Sequence, residues 1–135
     1  MNKTYITLCL CLFCFSACAE ETMTREGNTY IVNTTTTDLC SAKGFKSTTP
    51  LRVYIENDRV VRIEDLPNNE SKGYYERVRQ QLFPHYKDKK VTKALKISKT
   101  DVESIDGVSG ATFSAKATQA NITAALEYFV KHKKK

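Results

Sequence analysis

The chain has 135 residues, room for one domain and not two. Its 21 Lys and Arg exceed its 15 Asp and Glu by six. Lys131, Lys133, Lys134 and Lys135 place four of those six charges in a terminal tail, and the remainder is nearly balanced. With no basic stripe interleaved with aromatics and no recognised binding module, the pattern excludes nucleic acid as the partner class. The tail reads as a solvated end that complements a helix C-terminus or meets anionic lipid.

The first residues read as a targeting segment rather than as part of the fold. Met1-Asn2-Lys3 gives a positive start, and Tyr5 to Ala17 is apolar apart from Thr7 and Ser16. That is an h-region of signal-peptide length, too short for a mature membrane helix. Phe15-Ser16-Ala17-Cys18 resembles a bacterial lipobox, although Phe15 stands where leucine is usual. The expectation is a leader over 1–18, lipidation at Cys18, and a membrane-anchored lipoprotein on the periplasmic or cell-surface side. A thioether-linked diacylglyceryl group carries two chains, which is what stable anchoring needs. Simple cleavage near Ala17 or Ala19, releasing a soluble protein, is the alternative. Cys9, Cys11 and Cys14 fall within the leader, so their spacing carries no metal or redox meaning. Cys40 reads as a half-buried structural residue.

Residues 19–43 read as an N-terminal tether or strand. Ala19 to about Glu26 is polar enough for a tether, and Asn28 to Thr37 suits either an edge strand or a Thr-rich stalk. Asp38 to Pro50 is a connection. Leu51, Val53 and Ile55 alternate with Arg52, Tyr54 and Glu56, and Asn57-Asp58 can adopt positive φ. With the return run Arg59 to Ile63, this predicts a β-hairpin. Tyr75, Val78 and Leu82 recur at helical spacing until Pro84 ends the pattern, and Val91 to Ile97 reads as a further strand. In the last element, Ala115, Thr118, Ile122, Ala125, Leu126, Phe129 and Val130 share one helical face. The predicted fold class is α+β, a small antiparallel sheet with an early hairpin packed by two helices.

Before that helix lies Asp106-Gly107-Val108-Ser109-Gly110-Ala111-Thr112-Phe113-Ser114, a small-residue turn leading into a helix N-terminus. Free N–H groups and the positive end of the dipole suit such a place to phosphate. Gly107 and Gly110 permit close approach of a ligand, and Ser109, Thr112 and Ser114 offer hydroxyls. Helix capping explains the same hydroxyls. No set of histidines, cysteines or paired carboxylates predicts a metal site, and no residue is assigned a catalytic role. His85, in a charged stretch, reads as a surface residue.

The run Asp106 to Thr112 resembles the flavinylation motif of the FMN-binding domain family. That family includes the flavin-bearing C subunit of the sodium-translocating NADH:quinone reductase and its counterpart in the Rnf-type electron-transport complex. Leu51 to Ile63 resembles the family's early hairpin, and Glu70-Ser71-Lys72-Gly73 its Glu-Ser/Thr-x-Gly turn. Roughly Gly44 to Val130 is covered. Ala115 departs from the second hydroxyl residue that many members carry.

The resemblance implies FMN joined covalently through a phosphoester to Thr112 by a flavin transferase. Asp106, Ser109, Gly110 and Ala111 would shape the phosphate turn, with Ser114 beside it, and residues 44–135 would be the FMN-binding domain with a basic tail. It further implies an electron-transfer protein rather than a self-sufficient enzyme, working with a membrane electron donor or a separate reductase. Phe113, Tyr74 and Tyr75 are candidate neighbours of the flavin ring. Two other readings stay open: non-covalent binding of FMN or another phosphoryl ligand, and a structural surface lipoprotein whose Ser-Gly-Ala-Thr turn is only a helix cap.

Overall fold

Asn57 and Asp58 set the sheet. Both sit at positive φ, 52° and 57°, the left-handed pair that a two-residue hairpin turn needs and that Asn and Asp tolerate best. The computed structural model describes residues 21–35, 39–105 and 112–133. In it, the turn joins β3 (Leu51–Glu56) to β4 (Arg59–Asp65). Ahead of them, β1 (Met23–Glu26) and β2 (Thr29–Asn33) form a second hairpin. The strands lie in the order β1-β2-β3-β4, antiparallel throughout.

Alternation gives the sheet one apolar face. Leu51, Val53 and Ile55 are fully buried, whereas Arg52, Tyr54 and Glu56 between them are only partly covered. The register aligns Met23 with Val32, Val32 with Val53 and Val53 with Ile63, so one apolar row crosses all four strands. The opposite face is polar. There Tyr54 donates to Glu64 at 2.8 Å, and Arg62 stands 5.0 Å over the Tyr54 ring. The weaker alternation of the return strand has a structural cause. Arg62 pairs with Tyr54 and Val60 with Ile55, which leaves Val61 as the extra residue of a bulge.

Among the described residues three helices cover the apolar face: α1 (Lys72–Leu82), α2 (Val91–Ser98) and α3 (Thr112–His132). The α+β architecture with its early hairpin is as the sequence predicts. In α1 the buried residues are Tyr75, Val78 and Leu82, and Pro84 lies in a 3-10 turn just beyond. Ala115, Thr118, Ile122, Ala125, Leu126 and Phe129 form the buried face of α3. That helix packs on β2 and β3 and is flanked by α1 and α2.

Three expectations are corrected. Val91 to Ile97 is helical, because Val91, Ala94 and Ser98 face inward at helical spacing. Its strand tendency survives only as a bridge between Lys90 and Arg59. Part of the polar stretch read as a tether is the edge strand β1, which makes β2 an interior strand. Val130 is 48 % exposed and lies off the buried face.

Phe129 is buried and meets Tyr30 edge-on at 5.3 Å. Phe129→Ala is expected to lower the unfolding free energy by about 3–5 kcal/mol, as measured by urea denaturation.

Candidate functional site

Three segments distant in sequence meet at the amino end of α3. Gly44 lies so close to the others that a Cβ there would fall 2.9 Å from Glu70 Cδ and 3.2 Å from Ser114 Cα. Only glycine fits between that carboxylate and the helix backbone. Glu70 is buried, and it accepts from the Lys46 amide through both carboxylate oxygens, at 3.2 and 3.1 Å. Ser47 Oγ accepts from the Asn69 amide at 3.0 Å and donates to the Thr48 carbonyl at 3.0 Å. Loop 44–48 and loop 68–70 are thereby stitched together. The Glu70-Ser71-Lys72-Gly73 turn then leads straight into α1.

A buried polar seam continues beneath the first turns of α3. Thr118 Oγ1 donates to the Ser114 carbonyl at 2.7 Å, and Asn121 Nδ2 donates to the Ala117 carbonyl at 2.9 Å. Asn121 Nδ2 also approaches Thr49 Oγ1 at 3.3 Å. The Tyr75 hydroxyl is buried here without a hydrogen-bond partner among the described residues. The Thr118 hydroxyl favours its ionisation, but burial outweighs that and pushes the phenol up to about 12.

The sequence-predicted site residues fare differently. Thr112 is the first residue of α3, and Ser114 is buried in its opening turn. Asp106, Ser109, Gly110 and Ala111 lie outside the described residues, as does Cys18. Ala115, where the family pattern has a hydroxyl, is buried. Of the candidate ring neighbours, Tyr75 is ruled out because it is a core residue at 4 % exposure. Tyr74 and Phe113 are exposed, at 59 % and 69 %. Sequence reading missed Phe45, which is 74 % exposed and adjoins Gly44. Its one signal was an aromatic ring in a connection of Gly, Ser, Thr and Pro with no periodic partner.

Taken together, the fold and this junction define a small α+β domain organised around the amino end of a long helix, with exposed aromatics beside it. The family model of the FMN-binding domain matches residues 44–127. The chain therefore belongs to the FMN-binding domain family. No curated protein matches it, and no solved structure matches it.

The residues present fit that ligand. The opening N–H groups of a 21-residue helix lack intrahelical acceptors and suit a phosphate. The nearby carboxylate of Glu70 is directed to a loop amide. Exposed aromatic rings offer flat apolar surface to a planar heterocycle.

The buried phenol gives a pH prediction. With its native pKa raised, Tyr75 contributes stability that is complete below pH 10 and is lost as pH climbs towards about 12. The loss is about 3 kcal/mol at most. Tyr75→Phe is expected to be near neutral in stability at pH 7. It should also flatten the alkaline decline, as followed by denaturant midpoints from pH 8 to pH 11.

Proposed function

We propose that this domain carries FMN covalently, through a phosphoester on Thr112, and serves as an extracytoplasmic electron-transfer module. Support comes from one observation above all: within the matched span, Thr112 opens α3. A phosphate on that threonine would lie against unpaired helix amides and the positive end of the helix dipole. The bound flavin would supply electron transfer, with its ring chemistry unaltered by a link through the phosphate. The chain's own part is to fix the phosphate and to shape the surroundings of the ring. Gly44 and Glu70 hold the loop against Ser114 and so keep the opening turn in place.

The attachment reading is tested by expressing the protein with a flavin transferase, denaturing it, and viewing the gel under ultraviolet light. Wild type is expected to fluoresce, with the added mass on the Thr112 peptide, and Thr112→Ala to lose the label entirely. Fluorescence lost on denaturation would indicate non-covalent binding. Absence of flavin from the native protein would leave the turn as a helix cap.

The proposal extends to where the module works. A flavin transferase loads the domain, electrons come from a membrane donor or a separate reductase, and a lipid on Cys18 holds the protein on the outer side of a membrane. The lipobox pattern Phe15-Ser16-Ala17-Cys18 supports this placement. Cys18→Ser is expected to move the protein from the membrane fraction to the soluble fraction on centrifugation; an unchanged distribution would remove the anchor.

A further inference from the structure

Among the described residues the exposed large hydrophobic side chains are Phe45, Tyr74, Phe113 and Val130. Val130 stands alone near the far end of α3. Tyr74 lies in the first turn of α1, where Arg77 stands over its ring at 6.0 Å. Phe45 and Phe113 are different. Each is the immediate neighbour of a residue at the close junction of Gly44 with α3, since Phe45 follows Gly44 and Phe113 precedes Ser114.

Backbone contact between Gly44 and Ser114 restricts the space between the two rings. One residue step is about 3.8 Å, so the Phe45 and Phe113 Cα atoms lie within roughly 12 Å of each other. Both exposed rings therefore belong to one small region beside the opening turn of α3. Glu70 holds the Lys46 amide, so the segment bearing Phe45 is fastened on its far side as well. Both rings nevertheless remain mostly in water, at 74 % and 69 % exposure. Apolar surface left exposed in adjoining positions marks a contact site.

We infer that Phe45 and Phe113 form an aromatic clamp that takes the isoalloxazine ring between them. This rests on the proposed attachment at Thr112, the residue beside Phe113, which would tether the cofactor next to both phenylalanines. The alloxazine system is flat, aromatic and apolar on its faces, and two phenylalanines would cover those faces without adding charge. They would position the ring, exclude water from it and leave its edge open to a partner. Neither residue takes part in attachment itself.

The test replaces each phenylalanine by tryptophan, because an indole in contact with an excited flavin quenches its emission by electron transfer. Phe45→Trp, Phe113→Trp and Val130→Trp are made in the full chain and loaded by a flavin transferase, and each is checked by mass for the attached flavin. Emission is expected to fall several-fold in the first two and to be unchanged in Val130→Trp. In Phe45→Ala the flavin should stay attached, while iodide quenching rises and emission anisotropy drops; Phe45→Tyr should retain the anisotropy. Fully loaded Phe45→Trp and Phe113→Trp proteins that emit like wild type would overturn the clamp and leave the attachment standing. Wild type that takes up no flavin would overturn both. A dimer dissociated by Phe45→Ala, with the flavin signals unmoved, would mean that the rings pack on a second copy, and that too would overturn the clamp.

Discussion

Glu70 is a buried carboxylate that accepts from the Lys46 amide through both oxygens and from the Ser47 amide through Oε1, while its side chain occupies the space beside Gly44. Charged groups are buried only where they are hydrogen-bonded, and here the bonds run from one loop to another across the end of the sheet. The consequence reaches α3. Gly44 touches the Ser114 backbone, so fastening the loop also fixes the opening turn of the helix. A helix end that frayed would scatter its amides, and the ordered donors that the proposed phosphate site would need would go with it.

The energy that holds this arrangement in place comes from elsewhere. Ile122, Ala125, Leu126 and Phe129 bury the middle and latter part of α3 against Val32, Val53 and Ile55. The stretch from Ser114 to Asn121 contributes Thr118 and Asn121, which face Thr49 and the vicinity of Tyr75. One helix thus carries two kinds of packing along its length, apolar at the end far from the candidate site and polar near it. Hydrophobic burial has no direction, whereas hydrogen bonds fix orientation, and the orienting part of α3 is the part next to Thr112.

Local signals in the sequence were enough for the elements that have strong ones. The hairpin was legible because Asn57-Asp58 interrupts a clean alternation, and α1 because Tyr75, Val78 and Leu82 run into Pro84. By contrast α2 spans eight residues, about two turns, over which Val91, Ala94, Leu95 and Ile97 fit either period. Only Met23 among the four residues of β1 is even partly covered, so no pattern announced that strand. At the site, the run ending at Thr112 could be read as a string. The meeting of Gly44, Glu70 and Ser114 could not, because nothing local records which distant segments touch. Phe45 was missed for the same reason: its meaning comes from the contact its neighbour makes.

Strand order has a spatial corollary. Thr22 accepts from the Asn33 amide, Asn33 pairs with Arg52 at the start of β3, and Leu66, just after β4, donates to Pro50. All of these lie at the end of the sheet opposite the Asn57-Asp58 turn, the same end from which loop 44–48 reaches α3. Four residue steps separate Cys18 from Thr22, at most roughly 14 Å of extended chain. A leash fixed at Cys18 would therefore pull on the flank where Thr22 shares a cavity with Leu39, Tyr128 and His132 in the latter half of α3, while the hairpin tip is tied to the basic tail by Lys133 and Asp58 at 3.0 Å.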